Sequence, residues 1–394
     1  MTRTAKSSSA RAVTRAQVLG LRVHSQQLDR ETGGTVADTT LLDFGAQDTG
    51  PDGGRWALAI RGVEVATATD DDLALLWTLR GAPHFYRRSD LASVAAAVAP
   101  FSDADAGKRI FDASKPLKAA GISNLDALDA VAAQMRKVVS KPTVKGDVST
   151  RLTALMPEPY LRWCNPCQAT HLHEMPFRLA AVRAGLELRP DTSPPVLQRI
   201  KGLSAADLRR ARDTSTPADP RHDVVRTFLH LLGPSKPQLA AAFIDAPIND
   251  VKARWPEDVV EVSLGGERRW LLATDETLLD DASPAADLTR LLGPYDLYLQ
   301  GKDRPLLVDD KAHAKALWPV IGRPGAVLVA GEIVGSWRPR KSGQKLRLEV
   351  VLWSPTRRGR GTAHTRRTRD NVAVQAERLA AYRGLTLAGV DVRD

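Results

Sequence analysis

The chain is short of three things, and each shortage removes a class of protein. It has two cysteines in 394 residues, so no disulfide framework can stand in for a hydrophobic core. No apolar run approaches the roughly 20 residues that a membrane-crossing helix needs. The opening stretch, Met1 to Arg15, is rich in Ser, Thr, Arg and Ala but lacks the apolar segment of a secretory signal. It reads as a loose basic tail over residues 1–13, and the expected location is cytoplasmic.

What is present is globular and basic. Hydrophobic residues make up 43% of the chain and charged residues 26%, which excludes global disorder. A chain of 394 residues is expected to divide into about two to four compact units. The formal net charge is +10, a balance that favours a polyanionic partner, either nucleic acid or an acidic membrane surface. Its placement is informative. Between Arg338 and Arg369 there are eleven Lys and Arg against one acid, Glu349, an excess equal to that of the whole chain. A merely solvated surface mixes signs. A single-sign stretch interleaved with Trp337 and Trp353 fits phosphate contact, with Arg338, Arg340 and Lys341 as candidate DNA-binding residues.

The stretch that carries candidate chemistry is Leu41 to Gly54. An apolar run leads inward, then Gln47 and Asp48 stand side by side before a Gly/Pro-rich break that reads as a turn. A carboxamide supplies donors and acceptors and a carboxylate supplies acceptor oxygens, so the two together can hold and polarise a water molecule. The plainer alternative is that Asp48 and Thr49 cap the turn through nearby backbone.

In chain order, Thr14 to Leu28 reads as an amphipathic helix with Thr14 as N-cap. Asp70, Asp71 and Asp72 read as the start of a helix over Leu73 to Leu79. Arg80 to Arg88 is basic and aromatic, with Arg80 and His84 as candidate DNA contacts. Further helices are expected at Asp90 to Ala99, Leu125 to Val139 and Arg151 to Met156. Cys164, Cys167, His171 and His173 together invite zinc, which favours thiolate and imidazole ligands. Their spacing is tighter than the common finger, and a buried cysteine pair or a redox pair stand as alternatives.

Between Arg221 and Asp275, three short helices precede two strands joined at Gly265-Gly266, the plan of a winged helix-turn-helix. Lys252 and Arg254 then fall on the recognition helix, and Arg268 and Arg269 on the wing. Past Leu288, strands at Ala326 to Ala330, Glu332 to Trp337 and Lys345 to Leu352 and a final helix, Asn371 to Tyr382, form a small α+β unit.

Several of these stretches together resemble one family, the winged-helix AlkZ-like DNA glycosylases of bacteria. They are Leu41 to Gln47, Trp77 to Phe85, Val224 to Ala273, Pro294 to Leu299 with Lys302 to Arg304, and Gly331 to Arg338, in the family's order and over most of the chain. The resemblance implies an α+β fold of tandem winged helix-turn-helix units with a C-terminal β-rich domain and a C-shaped, concave DNA-binding surface. Residues 14–114 would be a first winged-helix unit carrying the candidate active site and 115–220 a second. Residues 221–275 would be a third with a wing hairpin, and 276–394 a C-terminal α+β domain with a basic sheet. The implied protein is a monomer that acts on double-stranded DNA without metal or cofactor. The implied activity is that of a monofunctional glycosylase removing N7-alkylated purines, in base excision repair or self-resistance to a genotoxin. The family's active-site motif is glutamine, a hydrophobic residue, then glutamine or aspartate. Gln47 matches the first position, Asp48 stands where the hydrophobic residue is expected, and Thr49 holds the second polar position. The catalytic candidates are Gln47 and Asp48. A winged-helix DNA-binding protein without catalysis, such as a transcriptional regulator, is the alternative.

Overall fold

The computed structural model describes residues 10–51, 53–66, 68–210, 212–213, 218–281, 283–353 and 366–393. Arg357, Arg358 and Arg360 of the basic segment lie outside the described residues. In the first half the strands are β1 (Arg11–Val13), β2 (Ala46–Gln47), β3 (Leu73–Trp77), β4 (Pro83–Arg87), β5 (Thr143–Val144), β6 (Leu161–Cys164), β7 (Ala169–Leu172), β8 (Leu186–Leu188) and β9 (Val196–Arg199). The second half contributes β10 (Val259–Leu264), β11 (Glu267–Leu272), β12 (Thr289–Leu292), β13 (Gly325–Val329), β14 (Glu332–Ser342), β15 (Lys345–Leu352) and β16 (Thr386–Arg393). With helices throughout, the fold is mixed α+β, and no helix among the described residues is long and apolar enough to cross a membrane.

The site rests on a six-stranded sheet ordered β2-β4-β3-β8-β9-β5. Its strands come from both sides of the expected division at 114/115, so residues 14–114 and 115–220 share one sheet. β3 corrects the helix expected over Leu73 to Leu79. Leu73, Leu75 and Trp77 enter the main core beneath the helices Asn124–Val138 and Glu174–Arg183. Ala74 and Leu76 enter a second cluster with Leu91, Val94 and Ala95. A strand buried on both faces carries a continuous apolar run, which periodicity alone cannot tell from a helix. The preceding acids belong to a turn, where Asp72 accepts from the Thr69 N–H at 2.8 Å.

The helix Arg15–Ser25 begins at Thr14 in a reciprocal cap: Gln17 N–H donates to Thr14 Oγ1 at 3.2 Å, and Thr14 N–H donates to Gln17 Oε1 at 2.9 Å. Two otherwise orphaned donors are satisfied this way. The helix docks elsewhere than expected: Val18, Leu19 and Leu21 share a core with Leu291, Tyr298 and Ile333. Residues 11–13, expected to be loose tail, instead form β1, which pairs in parallel with β10 (Arg11 with Val262, Val13 with Leu264).

The region 224–272 has the expected elements: helices Val224–Leu232, Pro237–Ile244 and Ile248–Ala253, then the antiparallel pair β10 and β11. The C-terminal sheet runs β12-β13-β14-β15-β16, with the expected strands at β13, β14 and β15. β16 pairs in parallel with β15 and has no counterpart in the sequence reading, since no tight turn joins it to its neighbour.

Candidate active site

The short helix Leu41–Phe44 ends at Gly45, whose φ of 99° turns the chain into β2. A side chain there is excluded, because a Cβ would lie 2.5 Å from the Tyr86 ring. β2 then pairs with β4, setting Ala46 opposite Phe85 and Gln47 opposite His84, and the Asp48 N–H donates to Pro83 O at 2.8 Å. Gln47 therefore stands on the outermost strand of the sheet.

Its carboxamide is held from two sides. Gln47 Nε2 donates to Thr49 Oγ1 at 3.0 Å, and Gln47 Oε1 accepts from Arg80 Nη2 at 3.2 Å. Residues i and i+2 share a face of extended backbone, so Thr49 and not Asp48 joins Gln47. Arg80 has a φ of 58° and also donates to Gln300 Oε1 at 2.7 Å and to Phe243 O at 3.0 Å. Its guanidinium carbon lies 4.4 Å from the centroid of the Phe243 ring, a cation–π contact. Gln300 is fixed in turn by donating to Tyr295 O at 2.6 Å. Burial, with Arg323 adding to it, brings Arg80 down to about 10, and it keeps its charge at neutral pH. Lys302 is lowered by partial burial and by its neighbours Arg80, Arg304 and Arg323. Of these cations Arg80 is the one that bonds Gln47, and Asp245 opposes the lowering of both Arg80 and Lys302.

Asp48 has other partners. Its Oδ1 accepts the Gly54 N–H at 2.9 Å, at the start of the helix Gly54–Ala59. Burial raises its pKa, with Asp191 adding and the Gly54 N–H and Arg55 opposing. Asp48 thus caps the turn through this oxygen, and Thr49 shares the face of Gln47. Beyond Arg55, a cleft of about 740 Å³ is lined by Trp56, Lys341, Arg378 and Tyr382 among others.

Of the expected DNA contacts, Lys252 on the helix Ile248–Ala253, Arg268 on β11 and Arg338, Arg340 and Lys341 on β14 are exposed. Arg268 pairs with Glu261 at 3.0 Å and Arg340 with Glu349 at 3.0 Å. Arg254 is half-buried, its guanidinium carbon 4.6 Å from the centroid of Phe101. Three expectations are corrected. Arg80 gives its guanidinium to protein acceptors, as described. Arg269 is buried, with Nη1 2.7 Å from Asp303 Oδ2, and Arg22 Nη2 meets the same oxygen at 2.7 Å. Burial pushes Asp303 up, but the Arg22 and Arg269 guanidiniums outweigh it and hold the carboxyl at about 2. His84 is only 2% exposed and donates from Nδ1 to Ala82 O at 2.9 Å, so no phosphate can reach it.

Burial, with Arg80 adding, lowers His84 to about 3. The folded chain keeps this imidazole neutral where the unfolded chain, titrating at 6.5, takes up a proton. Its contribution to stability is therefore full above pH 6.5 and is lost on acidification, by roughly 1.4 kcal/mol per pH unit. A His84→Asn variant, with an amide donor in place of Nδ1, should show a pH dependence of unfolding free energy shallower by about one proton between about pH 6 and 4. Urea midpoints over a pH series check this.

Thr49, Gln300, Lys302, Arg304 and Arg323 were not singled out as site residues in the sequence. Thr49 holds the second polar position of the motif, Lys302 and Arg304 bound one of the stretches that carry the family resemblance, and Gln300 directly follows another, Pro294 to Leu299.

The comparisons assign the fold to a class. The model of the family described as DNA glycosylase AlkZ-like matches residues 43–382, and the chain belongs to that family. Among solved structures it is similar to that of Streptomyces sahachiroi DNA glycosylase AlkZ, with a TM-score of 0.69 and 18% sequence identity over 97% of this chain and 100% of that one. No curated protein sequence matches it.

Proposed function

We propose that the chain is a monofunctional DNA glycosylase that hydrolyses the N-glycosidic bond of N7-alkylated purines in duplex DNA, in base excision repair or self-resistance to a genotoxin. The observation that carries this reading is the Gln47 carboxamide, held at a sheet edge between the Arg80 guanidinium and the Thr49 hydroxyl. An N7-alkylated purine is already cationic, so its bond to C1′ breaks with the electron pair leaving on the base. The sugar then becomes oxocarbenium-like and a water adds to C1′, losing its proton to solvent. Such a leaving group needs little acid or base assistance, and the protein's task is to place the water. Gln47 and Thr49, each both donor and acceptor, suit that task. Asp48 acts as a positioning residue by anchoring Gly54.

Under this reading residues 224–272 form a winged helix, one of several tandem units around a concave surface that takes one duplex per monomer. Lys252, Arg268, Arg338, Arg340 and Lys341 contact phosphates, and affinity falls with salt. The test is incubation with duplex carrying an N7-alkylguanine, followed by alkali. Strand breaks at the adduct are expected. A second reading, a DNA-binding protein without catalysis, is favoured by the hydroxyl of Thr49 standing where an amide or carboxylate is expected. Salt-dependent binding without breaks across several adducts would install it.

A further inference from the structure

We infer that Cys164, Cys167 and His171 form a zinc site that fastens the β6–β7 hairpin. One ligand atom from each lies within 4.8 Å of the others. In tetrahedral zinc with sulfur ligands at about 2.3 Å, two sulfurs stand roughly 3.8 Å apart, so little closure is needed. His173 lies outside this cluster, with Nδ1 3.9 Å from Asp112 Oδ2.

The hairpin explains how three ligands converge. Cys164 ends β6 and pairs with Ala169, while His171 lies two residues further along β7, opposite Arg162. Directly paired residues and their i+2 neighbours share a face, and a diagonal neighbour is within reach of a long side chain. Cys167 comes back to this face through the turn, where Gln168 takes a φ of 49°. The turn is braced by Trp163 Nε1 donating to Asn165 Oδ1 at 3.0 Å and by Gln168 Nε2 donating to Asn165 O at 2.7 Å.

A second observation concerns the imidazole. His171 Nδ1 lies 2.7 Å from Leu172 O, and since a carbonyl only accepts, Nδ1 carries the proton. Nε2 is left with the lone pair, the tautomer that metal-binding histidines adopt when a carbonyl orients the ring. Cys167 is exposed, which opens the fourth tetrahedral position to water. A metal has something to do here. β6 and β7 form a sheet of two four-residue strands whose base is anchored by Leu172 in the main core, while the half that carries the cysteines and Trp163, at 58% exposure, projects outward without that support. The exposure of Cys167 also excludes the buried cysteine pair expected as one alternative.

On binding, each thiol gives up its proton to solvent, and two thiolates and one dication make a neutral centre. The test uses the full chain produced in zinc-replete medium, with metal content, thiol titration and cobalt spectroscopy as readouts. About one zinc per chain is expected, with both thiols unreactive until a chelator is added. Cobalt(II) in its place should give thiolate charge-transfer absorption and the intense visible bands of a tetrahedral ion. Cys164→Ser with Cys167→Ser should abolish these while the circular dichroism stays unchanged, the side chains being peripheral. His171→Ala should weaken cobalt affinity by more than about 100-fold. Two thiols that react at once with no metal retained would overturn the assignment, as would a Cys164–Cys167 disulfide in chain kept under reducing conditions.

Discussion

Replacing Gln47 by alanine is expected to lower single-turnover excision of an N7-alkylguanine by about 10²–10³-fold, a loss of roughly 2.7–4 kcal/mol of transition-state stabilisation. Duplex affinity should not change, because Gln47 carries no charge and the exposed cations lie elsewhere. The effect comes from removing the group that Arg80 and Thr49 hold in place: the water would then keep only Thr49 as a partner, and part of the entropy of placing it would return to the barrier. Rapid-quench kinetics beside a binding titration separate the two quantities. A variant that loses binding and excision in parallel would instead place Gln47 in the DNA-binding surface.

The largest expected effect on stability lies in the stretch Pro294 to Leu299. Asp296 is buried against Arg61, both side chains 0% exposed, through paired bonds of 2.8 and 3.0 Å. Arg61 also donates to Gln26 O at 2.8 Å and Ala57 O at 2.7 Å. Asp296→Ala would leave that guanidinium buried without its counter-charge, and the expected cost is about 3–5 kcal/mol, read as a lowered urea midpoint. Removing both charges, Arg61→Met with Asp296→Leu, should recover much of the loss, because two well-packed apolar side chains avoid the desolvation penalty. If the double variant were no better than the single one, hydrogen bonding by Asp296 to the Tyr298 N–H at 3.0 Å would be the larger contribution. That turn also sets Tyr295 O, which fixes Gln300 and through it Arg80. The ion pair therefore supports the site from below.

Local grammar in the sequence was enough for elements whose signals are local. Thr14 announces a helix start, and Gly265-Gly266 closes the hairpin of β10 and β11. It failed where partners distant in sequence decide. The run Leu73 to Trp77 is a strand because helices and sheet neighbours bury both of its faces. β16 exists because it pairs in parallel with β15, and β1 because it pairs with β10. In the site, Gln47 was legible as an amide beside Asp48 at the end of an apolar run. Its dependence on Arg80 and on Gln300 was not, since those residues lie 33 and 253 positions away and meet it only through the fold. The charge on Arg269 looked like a wing contact, and only the approach of Asp303 and Arg22 shows it to be part of the interior.

The central claim is that Gln47 and Thr49 form the reacting face while Asp48 anchors the turn. The most direct test compares Gln47→Ala and Asp48→Asn in single-turnover excision of the same N7-alkylguanine duplex. Asparagine keeps an oxygen for the Gly54 N–H and loses only the charge. The account predicts near-normal excision by Asp48→Asn and near-complete loss in Gln47→Ala. Loss in Asp48→Asn with activity retained in Gln47→Ala would contradict it and return the chemistry to the carboxylate.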